Sequence, residues 1–344
     1  MSRPDSHPHA VPWRHIGAGL GIALCLGVAT LAWLGKQAAT PLYTSGTLQV
    51  QPGQTLGAIV GHLAATGSIE HPWAIRLWAR LTGRGNRIIA GEYALDPGTT
   101  LVRLLGDFAA GRVLQHPVRI PEGSTFREAL ASLWASPVLR ATLRGRSDAQ
   151  IMDRLGAPGL PAEGWFLPDT YFVTRGETDL DVLRRSHAAM QARLDQLWQT
   201  RGPGAPASVR DALTLASLVE KETGRADERP LVASVLLNRL RLGMPLQIDS
   251  TVIYGLGDKF DGNLTRRDLL TPTPHNTYTR RGLPPTPIAL PSTASLIAVL
   301  HPATVDYLYF VAKGDGSHVF SRTLAEHNRA VDCYQRQITQ RCPS

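Results

Sequence analysis

Lysine is nearly missing from this chain, with four against 32 arginines in 344 residues. The net charge of +8 is therefore carried by guanidinium groups scattered along the sequence with no dense run. No helix-turn-helix, zinc-finger or aromatic RNA-binding signature accompanies them, so the charge suits an anionic surface and no nucleic-acid partner is expected. Cysteine is also scarce. Three residues are too few for a disulfide-stapled scaffold or a cysteine metal cluster. His275, His301, His318 and His327 lack the spacing of a zinc-binding helix, so no metal and no cofactor is assigned. A Gly-x-Ser-x-Gly elbow, a Ser-x-x-Lys pair and a phosphate-binding glycine loop are missing too, which removes the usual acyl-enzyme and nucleotide chemistries.

One long apolar run is present. Residues 16–34 carry no charge and, as a helix, reach across a hydrocarbon core of roughly 30 Å, so they read as a transmembrane helix. Residues 35–40 offer no convincing signal-peptide cleavage site, which favours a retained anchor. Arg3 and Arg14 precede the run and only Lys36 follows closely. This places residues 1–15 in the cytoplasm as a tail and the body outside. Cys25 falls in the span. Cys333 and Cys342 could pair in an oxidising compartment or remain two free thiols.

Residues 35–46 read as a linker. A weak repeat follows, with VQPGQTL at 50–56, LDPGTTL at 95–101 and IPEGSTF at 120–126. Each copy predicts a strand end, a glycine turn and a helix capped by threonine. The first copy resembles the lysin motif, a small peptidoglycan-binding module, and a generic β-turn-α unit fits it equally well. Residues 47–115 are taken as this module. Residues 163–171, EGWFLPDTY, read as a turn-rich link to a larger carboxyl-terminal part. Helices are expected at 209–223, between Ser208 and Gly224, and at 230–242. Residues 247–255 read as strand or loop, the proline-dense residues 283–291 as extended, and 307–311 with 318–321 as a returning pair of strands. The class is α+β, with few strands and a helix-rich body.

On a helical wheel, Ala212, Leu215, Leu218 and Val219 form an apolar stripe with Glu222 in its middle, while Glu220 points roughly 140° away. A carboxylate on a core-facing stripe loses hydration, and its pKa rises toward the range of a proton donor near neutrality. The opposite reading is that Glu222 emerges into solvent as the helix ends.

The blocks ASLVEKET (216–223), VASVLLNRLRLGM (232–244) and LQIDSTVIYG (246–255) resemble the signature of the YceG-like family of endolytic murein transglycosylases. NTY (276–278), GLPP (282–285), YFV (309–311), HVF (318–320) and His327-Asn328 continue it in family order. The resemblance covers nearly everything after the apolar run, making residues 116–344 the catalytic domain, with 116–204 a connecting part and 205–344 the core. It puts the catalytic glutamate on Glu222, with Glu220 as a secondary candidate. The family's Asp-Pro-Thr is here Asp249-Ser250-Thr251.

What the resemblance implies is endolytic cleavage of nascent peptidoglycan between MurNAc and GlcNAc, leaving 1,6-anhydro-MurNAc ends and terminating strand elongation. Membrane-bound glycan polymerases, including penicillin-binding proteins, are the implied protein partners. Glu220 and Glu222 cannot be a glycosidase pair, because residues two apart on a helix point in nearly opposite directions. A single glutamate suffices if the sugar's own C6 hydroxyl is the nucleophile. Gln247, Asp249, Thr251, Tyr254, Asn276 and Tyr278 are the expected cleft-lining residues, and each has a structural alternative in capping or packing. The competing function is a non-catalytic peptidoglycan-binding scaffold for cell-wall synthases, which would tolerate Gln at 222.

Overall fold

The computed structural model describes residues 13–338 and Cys342, with side chains from Gly21 onward. The tail expected over residues 1–15 therefore lies almost wholly outside the described residues, and with it Arg3 and the side chain of Arg14. The chain divides into two compact units at Gln115/His116. Both are mixed and helix-rich, and each described sheet is a two-stranded antiparallel pair.

The first unit runs α1 (Trp13–Ala39), β1 (Gly46–Val50), α2 (Leu56–Ala65), α3 (Pro72–Leu81), β2 (Gly91–Leu95) and α4 (Leu101–Ala110). β1 pairs with β2, with Leu48 opposite Tyr93. Alternation puts Leu48 and Val50 into a core shared with Ile59, Leu63, Leu104 and Phe108. Within α1, the segment Gly21–Ala39 is long and apolar enough to cross a membrane. Its last turns do something else. Leu34 and Ala38, one helical turn apart, are 1% and 0% exposed and belong to the unit's core.

The linker expected over residues 35–46 is thus replaced by structure. The helix continues to Ala39, Leu42 donates its N–H to Thr99 O at 2.8 Å, and Pro41 bridges to Thr100. The apolar i, i+4 pair carried the helix past the point where composition suggested a break.

In the second unit β3 (His116–Ile120) pairs with β4 (Asp169–Val173), and α5 (Phe126–Trp134), α6 (Asp148–Arg154) and α7 (Asp179–Gln199) complete one core around Phe126, Leu130 and Phe166. The three repeated threonines do cap helices: Thr55, Thr100 and Thr125 accept the N–H of residue 58, 103 and 128, as the repeat predicts. Residues 163–171 are not a link between the units. They lie within the second one, where Gly164 has φ +86° and an added Cβ would sit 2.5 Å from Pro287 Cγ, so only glycine fits.

A second core surrounds α8 (Val209–Glu222), packed against α9 (Arg229–Arg241), α10 (Asp249–Leu256) and α12 (Thr293–Leu300), with the short α11 (Arg266–Leu270) beside α10. α10 stands where strand or loop was expected. Its β-branched residues favour extended backbone, but burial of Thr251 and Val252 against the core overrides that preference. β5 (Tyr309–Ala312) and β6 (His318–Ser321) form the expected hairpin, packed on α13 (Leu324–Tyr334), and Cys333 is disulfide-bonded to Cys342.

Asp179 fastens the first of these cores. Fully buried at the start of α7, it accepts from Trp134 Nε1 (2.9 Å), Thr142 N (2.9 Å), Thr142 Oγ1 (2.6 Å) and Leu143 N (3.0 Å). Burial pushes its pKa up, but the bonds from Thr142, Trp134 and Leu143 outweigh this and hold it below the ordinary carboxylate value. Asp179→Ala leaves those donors orphaned and should cost about 2–4 kcal/mol in urea denaturation of the full chain, a loss below about 0.5 kcal/mol contradicting the assignment.

Candidate active site

α8 begins at Ser208, whose hydroxyl accepts the N–H of Asp211, and ends where Thr223 turns extended at φ −147°. Gly224, the expected stop, is not needed, because Thr223 itself leaves the helix and its hydroxyl accepts the Arg225 N–H. Glu222 is therefore the last helical residue, half-buried, with its carboxyl at the helix end.

Two neighbours from α10 define that carboxyl's surroundings. Ser250 Oγ donates to Glu222 Oε1 at 3.3 Å, and the Asp249 carboxylate lies close enough to repel it. Burial pushes the Glu222 pKa up to about 7, the Ser250 bond opposes this and the Asp249 charge adds to it. Among the described residues no cation forms an ion pair with Glu222.

Glu220 is the instructive contrast. Its side chain is 6% exposed, deeper than the wheel implied, so the ranking drawn from the apolar stripe needs correcting. All of residues 212–219 are buried, because α8 is surrounded on every side and has no single core-facing stripe. Glu220 differs from Glu222 in its partners. Its Oε2 accepts from Ser292 N (2.9 Å), Ser292 Oγ (2.6 Å) and Ser295 Oγ (2.6 Å), capping the start of α12, and Arg229 Nη2 stands 3.9 Å from Oε1. A carboxylate saturated in this way is structural. As expected for residues two apart, the two glutamates face different helices.

The other expected residues divide. Asp249 is exposed and accepts from Tyr278 Oη at 2.5 Å. Burial, that bond and the charges of Asp249 and Glu222 all raise the Tyr278 pKa, which puts the phenol beside both carboxylates. Gln247 is exposed just ahead of α10 in a left-handed conformation, φ 54°, its N–H bonded to Thr277 O. Tyr254, one turn along α10 from Ser250, donates to Glu163 Oε2 at 3.2 Å. Thr251 and Asn276 are not cleft residues. Both are fully buried, Thr251 bonded to Ile248 O and Thr277, and Asn276 donating to the carbonyls of Asp268, Leu269 and Thr271.

Three features escaped the sequence reading. Ser250 was visible as a departure from the family pattern, but its contact with Glu222 was not. Glu163 is a second carboxyl whose pKa burial pushes to about 7, partly offset by the Phe126 N–H and the Tyr254 hydroxyl. An acid just ahead of the aromatic pair in EGWF was the available signal. Glu228 and His318 form the third. His318 donates its backbone N–H to Oε1 (2.9 Å) and its Nδ1–H to Oε2 (2.7 Å), pinning β6 to the turn after Glu222.

A cavity of about 1350 Å³ opens near the other end of α8, lined among others by Arg210, Thr214, Leu237 and Arg241, and none of Glu222, Asp249 or Tyr278 borders it. Size alone would pick that cavity. The perturbed carboxyl, exposed acid and phenol pick the end of α8 instead. A carboxyl with a pKa of about 7 can give and take a proton near neutrality.

Residues 48–333 match the model of the YceG-like family. The chain is similar to the endolytic murein transglycosylase of Bacillus subtilis, 39% identical over 174 residues that make up 51% of this chain and 48% of the relative. It is also similar to that of Streptococcus pneumoniae, 32% identical over 49% of this chain and 31% of the relative. The chain thus spans half the length or less of these curated relatives. The crystal structure of a putative YceG-like protein from Listeria monocytogenes superposes with a TM-score of 0.52 and 27% identity, covering 83% of this chain and 99% of that one.

The two glutamates should separate in stability. A carboxyl whose folded pKa lies above its unfolded one favours folding only while protonated, so the contribution of Glu222 is complete below about pH 4.5 and lost as pH rises through about 7. Glu222→Gln should therefore be more stable than the parent by about 3 kcal/mol at pH 8 and close to it at pH 4.5. Glu220→Gln should lose about 1–3 kcal/mol at pH 8. Thermal melts at the two pH values check both signs.

Proposed function

Because this chain belongs to the YceG-like family, we propose that it is a membrane-anchored endolytic transglycosylase of peptidoglycan, with Glu222 as its acid and base. The observation that carries this reading is the Glu222 carboxyl at the end of α8, without an ion-pair partner among the described residues and with a pKa that burial pushes up to about 7. Its protonated form delivers a proton to the glycosidic oxygen as the bond to MurNAc C1 breaks. The resulting carboxylate then takes the proton of the C6 hydroxyl as that oxygen closes on C1. A 1,6-anhydro-MurNAc end and a free GlcNAc hydroxyl result, no water is consumed and Glu222 ends protonated as it began. Ser250, Asp249 and Tyr278 surround the reacting carboxyl, and Gln247 lies exposed ahead of them for the glycan. Cleavage inside strands is supported by the relatives being named endolytic, and termination of strand elongation is part of the same proposal.

The β1-α2-α3-β2 order of the first unit supports a lysin-motif-like role in holding glycan. α1 supports a single-pass anchor with its amino end in the cytoplasm and the body outside, where nascent strands and their polymerases are found. The Cys333–Cys342 disulfide fits that oxidising side.

On purified uncrosslinked glycan, the full chain in detergent should release anhydro-ended fragments, and Glu222→Gln should reduce this by at least about 10³-fold while Glu220→Gln, assayed below its melting temperature, retains most of it. Mass spectrometry decides the chemistry, since reducing ends in place of anhydro ends would make the enzyme a hydrolase. The rate of the parent should fall on the alkaline side of about pH 7, as Glu222 loses its proton. Ser250→Ala removes the bond that lowers the Glu222 pKa and should move that alkaline limb upward. An unmoved limb would break the link between Ser250 and the reacting carboxyl.

A further inference from the structure

The solvent-exposed side of α3 is apolar where a soluble helix would be polar. Trp73, Leu77 and Leu81 follow one another at i, i+4 and i+8 and are 58%, 39% and 58% exposed. The opposite side, with Ala74, Ile75, Trp78 and Ala79, is already buried in the unit's core. The helix is therefore apolar on two faces, only one of which the protein covers.

Three observations say what covers the other. First, α3 packs against α1, and Trp73 contacts Trp33, ring centroids 5.6 Å apart, on the last exposed turn before Leu34 enters the core. Trp33 stands twenty residues from the helix start at Trp13, or about 30 Å along the axis, the thickness of a hydrocarbon layer. It occupies the level of an interfacial aromatic belt, and Trp73 shares that level. Second, the arginines Arg76 and Arg80 beside the stripe are exposed, Arg76 held alongside it by Nη2 donating to Gly57 O at 3.2 Å. Third, residues 71–90 hold four arginines and no acidic residue, which makes this edge complementary to an anionic surface.

We infer that α3 lies in the outer leaflet of the same bilayer that α1 crosses, with Trp73, Leu77 and Leu81 among the acyl chains and Arg76 and Arg80 on anionic phospholipid headgroups. This rests on the anchor reading of α1 given above. The first unit is then seated on the membrane through two helices: α1 fixes its position and α3 fixes its orientation. Each apolar side chain that enters the interface removes from water the surface that the fold leaves bare.

The test uses the full chain in phosphatidylethanolamine/phosphatidylglycerol vesicles, with Cys25→Ala as background and single nitroxide labels at Leu77→Cys, at Leu26→Cys in the span and at the exposed Asp195→Cys. Accessibility to a polar nickel chelate and to oxygen is read by electron paramagnetic resonance. Docking predicts that the Leu77 label is severalfold less accessible to the chelate than the Asp195 label and correspondingly more accessible to oxygen. It also predicts that Arg76→Glu with Arg80→Glu returns the Leu77 label toward water. A Leu77 label that behaves like Asp195, or that ignores the charge reversals, overturns the inference. The Leu26 label separates the two readings. If it is lipid-exposed while Leu77 is aqueous, the anchor stands and the docking fails; if Leu26 is itself aqueous, both fail.

Discussion

The enclosure of α8 is the constraint on which the second unit turns. A helix buried on every side must find a partner for each polar group it carries, since an unmatched one costs about 1–3 kcal/mol. Most of its polar side chains comply. Ser217 donates to Thr214 O at 2.7 Å and accepts the Ile288 N–H, and Glu220 takes three donors from the start of α12. Glu222 at the exit has one hydroxyl at 3.3 Å and an acidic neighbour. The same enclosure that stabilises the helix leaves its final carboxyl poorly served, which gives that group its altered acidity.

Much of this was legible in the sequence, and the failures have definite causes. Thr55, Thr100 and Thr125 announced three helix starts because capping is local chemistry, written within four residues. The start of α8 at Ser208 and the end of α9 before Gly243 were readable for the same reason. The wheel picked Glu222 through an argument that holds for a helix with one wet side, and α8 has none. Residues 249–256 and the segment after Leu34 were misread because tertiary burial decided them, and a single sequence does not show which apolar groups will meet. Thr251 and Asn276 carry the side chains of a sugar-binding cleft, yet both bond inward; hydrogen-bonding capacity is visible in sequence and direction is not.

Family membership and geometry contribute different things. The match over residues 48–333 supplies the family, while the contacts rank the acids within the fold. Glu163, Glu220, Glu222, Glu228 and Asp249 all lie near the ends of α8 and α10, and each has a distinct environment: Glu163 buried between an amide and a phenol, Glu220 saturated, Glu222 underserved, Glu228 matched to His318, Asp249 exposed. Composition treats them alike. Burial and donor count tell them apart.

The continuity of α1 with the first unit has a consequence for turnover of the protein. Because Leu34 and Ala38 fill the same core as Ile59 and Phe108, a protease that cut between Ala39 and Gly46 would remove more than a tether. It would open a hole in the hydrophobic interior, so that release from the anchor and loss of native packing become a single event. The released body would then present to water the apolar surface that Leu34 and Ala38 had covered.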